Sequence, residues 1–262
     1  MRRMGSEGSP PVRVTAADAQ RTGGLTFDDF RALARDPDLD EQERNGFARG
    51  LREGAERAIL DDVESKLPAL AREGAHVVDI GCGSGPLVRE LIARAGQRGQ
   101  DLVLVDSSEM LAYLPDAPGV VKVAGRFPLE ELTPRRGRAD AVLAYSVLQY
   151  AYADASPFDF VDAALELLAP GGRLLIGDIP NASMRSRFLA SDAGADFHRA
   201  YTGADDPPDP GYGTLRRGEP GDGLVLGLLA HARGAGFHAW VLPQPPELPL
   251  ANRREDVVLA RP

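Results

Sequence analysis

Val77-Val78-Asp79-Ile80-Gly81-Cys82-Gly83-Ser84-Gly85 is the stretch on which the reading of this chain turns. His76 to Ile80 is a short, continuous apolar run, as expected of a strand buried on both faces. The glycines at alternate positions let the chain turn sharply out of that strand and bring its backbone against a ligand. Pro86 suits the first position of a helix running to Ala95, with Leu87, Leu91 and Ala95 on one face and Gly96 ending it. The N-terminus of that helix offers unpaired N–H groups. A strand, a glycine turn and a helix in this order fit a nucleotide-like ligand in the crevice of an α/β sheet. The dinucleotide fingerprint requires a third glycine at position 86, where this chain has Pro86. Asp79 is also out of place beside a pyrophosphate, whereas it suits a cationic amino-acid group.

Downstream, the alternation continues. Strands are expected at Leu102–Val105, Val120–Ala124, Ala139–Ser146 and Arg173–Gly177, with Ser107 or Ser108 able to cap the helix after the second. Ser156 caps a helix that opens with Pro157, buries Val161, Leu165 and Leu168, and stops at Pro170-Gly171-Gly172. Asn181 to Tyr201 reads as helical and Thr202 to Asp222 as a loop rich in Pro, Gly and Asp; loops of that length are usually functional or mobile. A helix at Leu224–Ala232 leads to strands at His238–Leu242 and Asp256–Ala260. The turn-rich Pro243–Asn252 between them points to an antiparallel edge pair. The expected fold is α/β and doubly wound, a mostly parallel seven-stranded sheet with an antiparallel edge pair.

Upstream, Phe27, Phe30, Leu33 and Ala34 make one short helical face, and Leu51, Ala55, Ile59, Leu60, Val63 and Leu67 a longer one. Residues 25–73 thus form an N-terminal helical cap over one end of the sheet. Residues 1–24 read as a disordered tail, and residues 25–262 as one domain with 181–222 as a substrate-side insertion.

The chain has 262 residues and a formal net charge of −9, which argues against broad affinity for nucleic acid. Its one cysteine, Cys82, excludes an intrachain disulfide. No apolar run reaches the roughly 18 residues of a membrane span, and the N-terminus has no apolar segment of the signal-peptide kind. A cytoplasmic protein with no membrane partner is expected. The four histidines show no metal-ligand spacing, so no metal is expected. The N-terminal helices are of a kind that can exchange between subunits, which leaves a homo-oligomer open.

Taken together, Asp79-x-Gly81-x-Gly83-x-Gly85, the strand Leu102–Val105 ending in Asp106, the segment Ala139–Tyr150 and the lead Leu167-Leu168-Ala169-Pro170-Gly171-Gly172 resemble the class I S-adenosylmethionine-dependent methyltransferases of the small-molecule type. The resemblance spans Val77 to Gly177 and implies S-adenosyl-L-methionine as cofactor. It places Gly81, Cys82 and Gly83, with Asp79 behind them, at the methionine portion. Asp106, followed by Ser107, would hold the ribose hydroxyls, since a carboxylate accepts at two sites. Arg126 stands where the family often has an acid for the adenine, so backbone groups and Phe127 take over that role. Tyr145, Ser146 and Gln149 would line the floor beneath the reactive methyl, with Tyr150 beside them. The acceptor pocket is expected from the N-terminal helices and the insertion, with Arg185 and Tyr201 as polar contacts and His198 as the base. The acceptor would be a small polar metabolite, a sugar or natural-product intermediate, methylated on oxygen or nitrogen. The competing readings are an NAD-dependent oxidoreductase, disfavoured by Pro86 and Asp79, and a non-catalytic protein that binds S-adenosylmethionine, expected to have lost the glycine turn or Asp106.

Overall fold

The structure is a computed structural model and describes residues 25–47, 52–203, 205–212 and 219–262. The expected tail 1–24 and Leu51 lie outside the described residues. Strands β1 (His76–Ile80), β2 (Asp101–Asp106), β3 (Val120–Ala124), β4 (Ala139–Tyr145), β5 (Leu168–Pro180), β6 (His238–Pro243) and β7 (Arg254–Ala260) form one sheet in the order β3-β2-β1-β4-β5-β7-β6. The pairs among β1 to β5 are parallel, and β7 runs antiparallel between β5 and β6. The expected sheet is therefore present, with its antiparallel edge pair.

Both faces are covered because the central strands carry apolar side chains on both faces. Along β2, Leu102 and Leu104 point to one face, and Val103 and Val105 to the other. On the first face they meet Leu60 and Val63 of α3 (Glu56–Lys66) and Val88 and Leu91 of α4 (Pro86–Gln97). On the second lie Val161 and Leu165 of α7 (Pro157–Glu166) and Val225 and Leu228 of α10 (Asp222–Gly234). Each such side chain, fully buried, stabilises the fold by about 1.5–3 kcal/mol. The helix starts follow the local sequence: Ser156 accepts from the Asp159 N–H at 3.2 Å before Pro157, and Pro86 opens α4.

Three expectations are corrected. β5 begins at Leu168, not Arg173, and Pro170-Gly171-Gly172 lies within it. The cause is a register shift against β4, where a Cβ on Gly172 would stand 2.6 Å from the Ala139 carbonyl oxygen. Asn181 to Tyr201 is two helices, α8 (Ala182–Leu189) and α9 (Asp192–Thr202), because Ser191 caps the second through the Gly194 N–H. The resemblance takes the residues after the fourth strand, up to Tyr150, as a loop, and the structure has a short helix there, α6 (Leu148–Asp154). The remaining N-terminal elements are α1 (Phe27–Arg35), opened by a Thr26–Asp29 capping box, and α2 (Glu41–Arg44). A further short helix, α5 (Ser108–Leu111), follows β2. Among the described residues, no helix is long and apolar enough to cross a membrane.

Strand order reverses between β2 and β4 around β1. That reversal opens a crevice at the carboxyl ends of the strands, which is where ligands bind in open α/β sheets.

Candidate functional site

A cavity of about 430 Å³ fills this crevice. Its inner wall is the glycine loop. Gly81 and Gly83 have φ of +69° and +65°, a region that side-chain-bearing residues rarely adopt. Their neighbours give a second reason for glycine. A Cβ on Gly81 would lie 2.6 Å from Val147 Cγ2, and one on Gly83 2.1 Å from Asn45 Oδ1. The loop is thus pressed from two sides, by the segment after β4 and by the N-terminal cap. Asp106, at the end of β2, ties it down: Oδ2 accepts from the Gly83 N–H at 2.8 Å and Oδ1 from the Ser107 N–H at 2.7 Å. Burial raises the Asp106 pKa even so, and these hydrogen bonds only moderate the effect.

Asp79 lies behind the loop, 5% exposed, beside a small space lined by Leu60, Val63 and Tyr145. Its carboxylate has no hydrogen-bond partner among the described residues. Burial, and then the charge of Asp106, push its pKa up to about 8. The same two causes, with Asp79 added, hold the Cys82 thiol well above its usual range, so Cys82 is no ready nucleophile.

The outer wall comes from the N-terminal helices. Phe27 and Phe30 of α1, Asn45, Phe47, Arg52 and Glu56 all line the cavity. Asn45 latches the cap to the glycine loop, its Oδ1 accepting from the Ser84 N–H at 2.9 Å. A second clamp holds α1 to the segment after β2: Arg31 and Arg35 pair with Glu109, and the Tyr113 hydroxyl donates to the Ala34 carbonyl at 2.8 Å. The Phe30 and Tyr150 rings meet edge to face at 4.6 Å.

Beneath the floor runs a buried charge network. Lys66 Nζ donates to Asp62 Oδ2 at 2.6 Å and to Asp256 Oδ2 at 2.7 Å. Asp256 Oδ1 accepts from the Asp178 N–H at 2.7 Å and from Gln244 Nε2 at 3.0 Å. Asp178 receives Arg254 Nη1 at 3.0 Å, the Ser146 hydroxyl at 2.5 Å, and Arg52. Removing one partner from a buried pair costs about 3–5 kcal/mol, so these groups stand or fall together. Ser146 and Asp178 have φ of +61° and +58°, strain of order 1–3 kcal/mol each that clusters at functional sites.

The expected site residues divide. Gly81, Cys82, Gly83, Asp106, Arg126, Phe127, Tyr145, Ser146 and Tyr150 line the cavity. Ser107 lies underneath, its hydroxyl capping α5 through the Met110 N–H. Gln149 turns its amide to the Ser146 carbonyl at 2.8 Å and is not part of the cavity lining. Arg185, His198 and Tyr201 are not brought to the cavity, and none of residues 181–222 is among its described lining. The reason is packing: Phe188 and Phe197 meet edge to face at 5.7 Å, Phe197 stacks on Tyr201 at 5.8 Å, and Arg253 covers Phe197 at 5.1 Å. α8 and α9 therefore turn their rings to each other and to Arg253.

Sequence reading missed Asn45, Arg52, Glu56 and Asp178. Two signals for the network were present: Asp178 and Asp256 adjoin apolar strand runs, and Asp62 and Lys66 sit four apart beside the apolar face of α3. Among the described residues no cluster could hold a metal ion.

Residues 51–204 match the family model described as a methyltransferase domain. A ubiquinone biosynthesis O-methyltransferase of Xylella fastidiosa (strain 9a5c) is 30% identical over 140 residues, 53% of this chain and 53% of the relative. One from Xanthomonas campestris pv. campestris (strain B100) is 29% identical over 140 residues, 53% of this chain and 55% of its own. The chain thus spans about half the length of the curated relatives it matches. Among solved structures, the plantazolicin methyltransferase BpumL in complex with SAH superposes with a TM-score of 0.57 at 13% identity, over 90% of this chain and 96% of that one. The plantazolicin methyltransferase BamL does so at 0.56 and 12%, over 90% and 97%. At these identities the likeness is one of fold.

Proposed function

The chain belongs to the class I S-adenosylmethionine-dependent methyltransferases, and on that premise we propose that it moves the methyl group of S-adenosyl-L-methionine to an oxygen or nitrogen of a small molecule. One observation carries this reading: the close-approach glycines and Asp106 line one cavity, with Asp79 buried in a small space behind the glycine loop. The residues fit the cofactor. The partnerless, buried Asp79 carboxylate calls for a cation, which the amino-acid end supplies. Each Asp106 oxygen keeps a lone pair beyond its backbone bond, enough for two ribose hydroxyls. Phe127, Met110 and Phe160 offer an apolar slot for a base.

When bound, the cofactor supplies an activated methyl on a sulfonium. The chain's own contribution is alignment, for which effective molarities reach about 10⁵–10⁸ M. The glycine loop and Asp106 hold one reactant, and the cap excludes water from above. Glu56 carries no hydrogen bond or ion pair among the described residues and lines the cavity, so it takes the proton of an acceptor hydroxyl, the role first assigned to His198.

The aromatic wall of Phe27, Phe30, Phe47 and Tyr150 favours a natural-product intermediate with a planar apolar part over a sugar. The relatives' naming as O-methyltransferases favours oxygen.

Titration calorimetry with S-adenosylhomocysteine tests the reading. Binding is expected in the wild type, with a loss of at least about 10-fold in Asp106→Ala. Heat from NAD and none from S-adenosylhomocysteine overturns it.

A further inference from the structure

Outside the cavity, one arginine is held in place with its charge unanswered. Arg253 ends the turn Ala251–Arg253 that leads into β7, and its guanidinium lies 5.1 Å from the centre of the Phe197 ring and 5.8 Å from that of Phe188. Its Nε donates to Asn252 Oδ1 at 3.0 Å. Its Nη2 is buried with no hydrogen-bond partner among the described residues. Burial, and then the charges of Arg185 and Arg254, lower the Arg253 pKa, and only Tyr201 acts in the other direction. The nearby acids are engaged elsewhere: Asp222 pairs with Arg187, and Glu255 accepts from Asn181 Nδ2. Arg254 is paired with Asp178, whereas Arg185 has no ion pair among the described residues.

The backbone brings the two unpaired arginines together. The Asn181 N–H donates to the Arg253 carbonyl at 3.0 Å, and the Arg185 N–H to the Asn181 carbonyl at 2.9 Å. Arg185 thus stands one turn of α8 away from Arg253. The Arg253 turn is entered through Leu250 at φ +63°, a costly conformation for a bulky residue. In a chain of net charge −9, a strained turn that joins two unneutralised arginines marks a place for an anion.

The donor set selects among anions. A planar carboxylate is best taken by two parallel N–H groups along one edge of a guanidinium. Arg253 has no such edge to offer, because its Nε is used and its Nη2 is sealed. One N–H from its Nη1 and others from Arg185 approach from different directions, which suits the oxygens of a tetrahedral phosphate. Beside them Phe197 and Tyr201 stack at 5.8 Å, 39% and 41% exposed, and present an apolar surface. Neither arginine lines the cofactor cavity.

We propose that Arg253 and Arg185 form a phosphate-binding site outside the cofactor cavity. The phosphate is either free or carried by a monoester whose apolar body lies on Phe197 and Tyr201.

Titration calorimetry at constant ionic strength, with chloride as the buffer anion, tests this with inorganic phosphate and phenyl phosphate as probes. The wild type is expected to take up phosphate with a Kd of about 1 mM or below. Arg253→Gln weakens uptake by about 10-fold or more, and Arg185→Gln, an exposed change that leaves the fold intact, by about threefold or more. Tm, measured alongside, reports folding of each variant, and S-adenosylhomocysteine affinity stays as in the wild type. Tighter binding of phenyl phosphate, with the gain lost in Tyr201→Ala, assigns the site to a monoester; equal affinities assign it to free phosphate. The proposal is overturned if the wild type shows no saturable uptake of either probe, or if either folded arginine variant binds them as the wild type does. Displacement of phosphate by S-adenosylhomocysteine also overturns it, because the anion would then sit in the cofactor cavity.

Discussion

The N-terminal helices, residues 25–73, and the segment 181–222 carry the same expectation, that they build the pocket for the methyl acceptor. The structure treats them differently. The first puts Phe27, Phe30, Asn45, Arg52 and Glu56 on the cavity wall, and the second puts no described residue there. Polar composition is a weak guide to a site, because polar groups also serve to keep a surface wet. The cap has an anchor that the insertion lacks: Asn45 is hydrogen-bonded to the glycine loop itself, and Arg31 and Arg35 grip Glu109 next to β2. A segment tied at both ends of the cofactor crevice has to roof it. The rings of the insertion satisfy one another and Arg253 instead.

This contrast breaks most easily at the latch. Gly83→Ala sets a methyl 2.1 Å from Asn45 Oδ1 at a positive φ, so the Asn45 side chain must swing away and its latch to the Ser84 N–H is lost. The expected result is a loss of S-adenosylhomocysteine affinity of about 100-fold or more, read by calorimetry. A near-normal affinity would mean that the cap does not seal the site. Glu56→Gln comes next. It is expected to lower kcat by roughly 100-fold with KM for the cofactor unchanged. A variant as fast as the wild type at every pH removes Glu56 from the chemistry.

The third effect is a slope. Asp79 has an ordinary pKa of 3.8 and one of about 8 in the folded, unliganded chain. Between these values the folded chain holds a proton that the unfolded chain has released, so this group's contribution to stability falls as pH rises across that window. Asp79→Asn lacks the loss. Its Tm, relative to wild type, is expected to climb between pH 5 and 8.5 by several degrees, at about 2–4 °C per kcal/mol for a chain of this size. A constant difference would show that Asp79 is ionised throughout. The smallest effect belongs to the insertion: His198→Ala and Tyr201→Ala are expected to change kcat/KM by less than about twofold, as surface substitutions generally do. A tenfold loss in either would return the insertion to the acceptor site.

How much was legible depends on sequence distance. The glycine loop, Asp106 and the strand rhythm are readable because each is a short-range pattern: a turn that needs positive φ, a strand ending in an acid, runs buried on both faces. Arg52 and Asp178 stand 126 positions apart and Lys66 and Asp256 190, and no local pattern announces such partners. The length of β5 was misread for the same reason, since it depends on its fit to Ala139. The break between α8 and α9 is different: the Ser191 cap on the Gly194 N–H is a local signal that was read as continuing helix.

By itself, the sequence determined the sheet and the glycine loop that lines the crevice, since backbone conformation and apolar periodicity are properties of neighbours along the chain. Only the tertiary structure decided which flanking segment roofs the crevice and which charges meet beneath it. Those outcomes depend on hydrogen bonds and burial between residues that become neighbours after the chain has folded.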